Sequence, residues 1–336
     1  MILALTVAVV GFTCVFGFLN GFRDASTAVG LTVRTRALTP SIAVVLAAAF
    51  NVAGVVTGAW LLTYFGGSWL TAPDGARGLV LLLATLASAS LWNVFLWWRG
   101  YPSSSTHALA GGLVGASLAS LLRGHGAEDG LATVLWLQVW LPLLISPLLA
   151  FGVSFFLTSL VTWLARYSQP SQAHTVLRAA QSVGTAAVAF GHGLQDGQRV
   201  IAVLALATLG SGVDWNAVPP WIISLSALVF GIGTLAGGWR ITYTLSNRLV
   251  RTDPLRGFVS QLVTTAMLFF GALGLRWPLS TTHTVTASIL GAGSNQSYAA
   301  VNGRLLVRLI LFWLATPLAT AALGFVFALA LDPLAQ

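Results

Sequence analysis

The sequence predicts an all-α polytopic membrane protein made of two inverted repeats with re-entrant half-helices. Three observations predict it: the apolar composition, a pair of motifs that occurs twice, and the uneven placement of the arginines. Hydrophobic residues make up 57% of the 336 positions and charged residues only 7%, with a mean hydropathy of +0.86. Soluble globular domains do not reach such values. Apolar runs long enough to cross a hydrocarbon core include Ile42 to Phe65, Gly78 to Trp98, Ala132 to Leu164, Ala217 to Gly238 and Leu305 to Leu331. Together they predict roughly eight to eleven membrane segments, in a multi-pass protein of the cell membrane embedded in lipid. The first apolar stretch lacks a basic leader and a small-residue cleavage site, and reads as a retained membrane helix.

Charge excludes other classes. The net charge of +8 comes from sixteen arginines against eight acids. They are scattered between apolar runs instead of forming a basic patch, so no nucleic-acid partner is expected. Cys14 is the only cysteine and forms no intrachain disulfide. There is no zinc-ligand spacing, Walker loop or dinucleotide fingerprint, so neither a metal cofactor nor a nucleotide is implied.

The repeat is visible directly. Asn20-Gly21-Phe22-Arg23-Asp24 is followed by Pro102-Ser103-Ser104-Ser105-Thr106-His107, and His192-Gly193-Leu194-Gln195-Asp196 by Pro278-Leu279-Ser280-Thr281-Thr282-His283. The acid-to-histidine spacing is 83 positions in the first case and 87 in the second, and Arg99 and Arg276 precede the two hydroxyl motifs. This organisation places the first membrane repeat at 1–166, a linker at 167–182 and the second repeat at 183–336. Arg34 and Arg36 follow the first acid, whereas Arg166 and Arg178 precede the second, which is followed only by Asp214. The next loops agree: Asp74 with Arg77 is nearly neutral, while Arg248, Arg251 and Arg256 are strongly basic. Under the positive-inside rule the repeats run in opposite directions, a pattern found in secondary transporters.

An aspartate inside an apolar stretch costs a few kcal/mol to insert, so Asp24 and Asp196 need either a partner or a task. Arg23 and Arg199 are near enough in sequence to pair with them. The alternative is a cation site, with Gly21 and Gly193 beside unwound turns that free backbone carbonyls. In the hydroxyl motifs a proline followed by Ser and Thr reads as the start of a half-helix, with Ser104 and Ser280 at the N-caps. Free N–H groups, the hydroxyls of Ser104, Ser105, Thr106, Ser280, Thr281 and Thr282, and the positive end of the dipole then form an anion site. Arg199 can add a charge-assisted bond to the anion and counts among its substrate-binding candidates. His107 and His283 read equally as proton carriers and as hydrogen-bonded structural residues. His192, whose counterpart is Asn20, reads as polar packing.

At these four motifs the sequence resembles the inorganic phosphate transporter (PiT) family. Thr35-Arg36-Ala37-Leu38 and the stretch from Gly233 to Arg240 extend the likeness over nearly the whole chain. The resemblance implies a symporter that imports inorganic phosphate with a cation, H+ or Na+, and that needs no other cofactor. It also implies acids that bind the coupling ion, hydroxyl motifs that hold phosphate, and a possible homodimer. The chain departs from the family where Arg23 and Gln195 replace the Asn before each acid, and where Thr27 and Arg199 replace the Asn after it. By the resemblance Thr27 and Arg199 border the site and count among its substrate-binding residues, and these changes leave the anion and the coupling ion open. A sulfate permease of the same fold, an anion channel and an intramembrane Ser-His-Asp enzyme are the competing readings. Duplication argues against an enzyme, which needs one asymmetric nucleophile and base.

Overall fold

A computed structural model of the chain describes residues 1–65, 70–124, 136–167, 169–275, 277–296 and 301–335. Arg276 therefore lies outside the described residues. Within them the chain forms eleven α-helices and no strand. The N-terminal half holds α1 (Ile2–Arg34), α2 (Pro40–Phe65), α3 (Gly75–Arg99), α4 (Ser105–Leu122) and α5 (Leu141–Leu164). The C-terminal half holds α6 (Pro170–Leu209), α7 (Pro220–Ala236), α8 (Trp239–Tyr243), α9 (Pro254–Phe269), α10 (Thr281–Ser294) and α11 (Gly303–Leu331).

Among the described residues seven helices are long and apolar enough to cross a membrane, or eight if α7 and α8, bent by 55° at Gly237 and Gly238, count as one span. Two helices fail that test for physical reasons. The polar run from His192 to Arg199 lowers the hydropathy of α6, yet its 40 residues extend roughly 60 Å at 1.5 Å per residue. With 14 residues, α10 is too short to span alone. The expected linker is helical from Pro170 onward: Gln169 is extended, proline occupies the first turn, and the helix continues unbroken to Leu209.

Packing in one half is mirrored in the other. Helix α1 lies against α7 and α2 against α6; α4 lies against α11 and α5 against α10; α1 also meets α3 as α6 meets α9. The two motif helices run antiparallel, because Asp24 meets His192, Thr32 meets Thr185 and Thr35 meets Gln181. One end of the molecule gathers Arg34, Arg36 and Asn247 around a shared cavity. At the other end Ser211 donates to Asp74 from its N–H (2.6 Å) and its hydroxyl (2.8 Å). Those two bonds, the backbone one foremost, hold the Asp74 carboxyl below the usual carboxylate range.

Gly21 and Gly193 differ from expectation, for both lie inside continuous helix and no turn is unwound at either. Their role is close approach. A Cβ on Gly21 would collide with the Phe230 carbonyl of α7, and one on Gly193 with the Asn51 carbonyl of α2. Backbones that pack this tightly exclude any side chain larger than hydrogen. Apolar clusters flank the centre of the molecule: Val9, Phe16, Val200 and Phe230 belong to one, Val29, Leu31, Val188 and Leu245 to the other.

Candidate transport site

Between those clusters lies a polar layer built by four segments. Asp24 and Asp196 are each 3% exposed and His192 is 1% exposed. His192 stands four residues before Asp196, on the same face of α6. Its Nε2 lies 2.9 Å from an Asp196 oxygen and 3.6 Å from an Asp24 oxygen. On the far side of the ring, Nδ1 is 3.0 Å from Asn51 Oδ1, and Asn51 donates to Thr234 at 2.8 Å. Ligand atoms of Asp24, His192 and Asp196 all fall within 4.8 Å of one another, a group able to hold a cation.

The arginines divide their work. Arg199 forms an ion pair with Asp196 one turn away and donates to the Leu279 carbonyl at 3.3 Å. Arg23 does not pair with Asp24, since adjacent helical residues point apart. It is fully buried and donates to the Ser103 carbonyl and hydroxyl, both at 2.8 Å, and to the Ser105 hydroxyl at 3.3 Å. Gln195 occupies the equivalent place in α6 and grips the equivalent loop. Its carbonyl accepts from the Leu279 N–H at 3.0 Å and its amide donates to Leu268 at 3.0 Å. In both halves of the chain the residue before the acid thus holds the loop that opens the following half-helix.

Both half-helices begin as the sequence predicts. Ser104 and Ser280 are N-caps that accept from the N–H groups of His107 and His283, each at 3.2 Å. Ser105, Thr106, Thr281 and Thr282 are all buried behind them. Thr282 reaches across to α1 and donates to an Asp24 oxygen at 3.0 Å. Among the described residues, the Thr281 hydroxyl and both side-chain polar atoms of Asn20 have no hydrogen-bond partner. Buried polar groups in that condition mark places where a ligand or water completes the bonding. Thr27 is buried, but its hydroxyl donates to the Asp24 carbonyl of its own helix at 2.6 Å. The His107 and His283 rings lie 4.7 Å apart, and His283 stacks on Trp313 at 4.0 Å. That packing favours the structural reading of the pair.

Sequence reasoning missed the role of His192. Its spacing of four from Asp196 was the available signal; its approach to Asp24 depends on how α1 crosses α6.

Buried acids, two capped half-helices and a polar layer flanked by apolar clusters define a multi-pass membrane transporter. Comparisons with known proteins agree. The family model described as "Phosphate transporter family" matches residues 20–324. A Bacillus subtilis protein is 32% identical over 326 residues, covering 96% of each chain. A Rhizobium meliloti protein is 31% identical over 325 residues, covering 95% of this chain and 94% of its own. Both carry the description "Probable low-affinity inorganic phosphate transporter". A solved structure described as "The sodium-dependent phosphate transporter" shares the fold, with a TM-score of 0.77, 98% of this chain and 99% of its own covered, and 19% identity. The chain belongs to the phosphate transporter family.

Proposed function

We propose that this protein imports inorganic phosphate by symport with a cation, H+ or Na+, that binds among Asp24, His192 and Asp196. The observation that carries the reading is the bond from Thr282 to Asp24, which joins the anion motif of one repeat to the acid of the other. Coupling requires that the two ligands sense each other, and here one hydroxyl touches both sites. Formal charge supports the same reading. Asp24 and Asp196 balance Arg23 and Arg199, so phosphate entering alone would bring uncompensated negative charge into a dry interior. A cation arriving with it offsets that cost.

The hydroxyls and N–H groups of Ser104 to Thr106 and Ser280 to Thr282 are the donors for the anion, with Arg199 beside them. Phosphate at neutral pH carries a hydrogen that needs an acceptor, whereas sulfate carries none. An ionised aspartate supplies that acceptor and penalises sulfate. The antiparallel course of α1 and α6 and the mirrored packing support a division into two inverted repeats, 1–166 and 183–336, that alternate access to this layer.

Uptake of labelled phosphate into proteoliposomes under an imposed sodium or proton gradient tests the reading. One of the two gradients drives accumulation, sulfate competes poorly, and Asp24→Asn or Asp196→Asn abolishes concentrative uptake while the protein stays folded. Equal competition by sulfate contradicts the selectivity, and normal accumulation by both variants removes the acids from coupling.

A further inference from the structure

A second site stands apart from the polar layer. At the arginine-rich end a cavity of about 510 Å³ opens between the turn after α1 and the short helix α8, lined by Arg34, Arg36, Trp239, Tyr243, Ser246 and Asn247 among others. Neither guanidinium has a carboxylate partner among the described residues. Asp253, from the basic loop that also carries Arg251, is already paired with Arg256. Arg36 is held in the left-handed region at φ 58°, in a turn fixed by bonds from Arg36 N to the Val33 carbonyl (3.2 Å) and from Ala37 N to the Thr32 carbonyl (2.9 Å). A side chain other than glycine rarely adopts that conformation, and its position here puts a second positive charge on the cavity wall.

The opposite wall supplies polar groups and aromatic rings. Asn247 donates to Ser246 at 3.0 Å, and Ser246 donates to the Thr242 carbonyl at 2.6 Å. Trp239 and Tyr243, four apart on α8, are 42% and 60% exposed and share a face. Leu228, Ile232 and Leu235 on α7 are about half exposed and lead along the membrane-facing surface to the Gly237–Gly238 bend. This end is cytoplasmic by the positive-inside rule.

Two unpaired guanidiniums, two exposed aromatic rings on the same cavity wall and an apolar track along α7 match one chemistry. We propose that this cavity binds the headgroup of an anionic phospholipid, with Arg34 and Arg36 on the phosphodiester, Trp239 and Tyr243 beside the glycerol, and an acyl chain along α7. Paired guanidiniums suit phosphate oxygens. Tryptophan and tyrosine favour the interface, and basic clusters on the cytoplasmic side attract anionic lipid. The bound lipid would brace the end of α1, the helix that carries Asp24, against α8.

Native mass spectrometry of the full-length protein with added phosphatidylglycerol tests this. Wild-type protein retains phosphatidylglycerol in preference to phosphatidylcholine. Each guanidinium removed weakens retention about fivefold, and Arg34→Gln with Arg36→Gln together weaken it about 25-fold. Arg166→Gln with Arg178→Gln, elsewhere on the basic side, leaves retention unchanged. Arg36→Gly keeps the left-handed backbone without the charge, so it must lose the same fivefold. Undiminished retention in Arg36→Gly, equal retention of phosphatidylcholine, or displacement of phosphatidylglycerol by free inorganic phosphate would each overturn the proposal.

Discussion

Arg23 offers a quantitative test of how the half-helix is held in place. Arg23→Leu removes three hydrogen bonds, two of them to the carbonyl and hydroxyl of Ser103 in a fully buried setting. A hydrogen bond to a charged group contributes about 1.5–3 kcal/mol. Taking the low end for the two bonds at 2.8 Å and nothing for the one at 3.3 Å gives about 3 kcal/mol. The loss falls on the geometry of the loop before α4 and not on the whole fold, because removing a buried charge also removes its desolvation cost. Initial rates of phosphate uptake in proteoliposomes should therefore show KM raised about 100-fold, at about 1.4 kcal/mol per tenfold, while thermal stability in detergent changes little. Arg23→Gln is the informative partner, since Gln195 performs the equivalent task with an amide. It should recover most of the lost affinity. An unchanged KM in Arg23→Leu refutes the positioning role. A glutamine variant as impaired as the leucine variant shows instead that the charge itself acts on the anion.

Replacing Ser104 and Ser280 together by Ala removes both N-caps at about 1 kcal/mol each, so KM for phosphate should rise by an order of magnitude or more in the same assay, with helix content by circular dichroism preserved. Gly21→Ala forces a methyl group against the Phe230 carbonyl, and overpacking of this kind costs about 1–3 kcal/mol. Its melting temperature in detergent should fall, while that of Gly11→Ala, where a Cβ meets nothing within 4 Å, should hold. In a Cys14→Ala background, single cysteines at Arg34 and Arg248 should react with an impermeant thiol reagent from one side of the membrane and a cysteine at Asp214 from the other. Labelling of Arg34 and Asp214 from the same side contradicts the opposed course of the repeats.

Much of this architecture was legible because lipid leaves a chain few options. Long apolar runs such as Gly78 to Trp98 became helices, and the proline-hydroxyl motifs became capped half-helices because capping is a local matter settled within four residues. What the sequence could not disclose depends on how helices cross. Gly21 looked like a hinge, for a glycine beside a polar residue fits either a break or a close contact; only the approach of Phe230 distinguishes the two. The same holds for Arg23 and Arg199. Their spacings to the acids, one and three positions, decide which pairs with its own carboxylate, yet the partner Arg23 adopts instead lies 80 residues away. His192 was read as packing because its counterpart is Asn20. Its place between two carboxylates arises from the antiparallel seam of α1 and α6.

The interlocking of helices from the two halves of the chain bears on how the protein is made. Helix α1 packs on α7 and α2 on α6, so during synthesis the first two helices leave the ribosome well over a hundred residues before their partners exist. Until then Asp24 lacks His192 and Thr282, and the groove around Gly54 that will receive the Phe190 to Leu194 backbone faces lipid. The early chain can therefore form only contacts such as α1 on α3, and the packing across the α1–α6 seam comes late, once the C-terminal helices have been made.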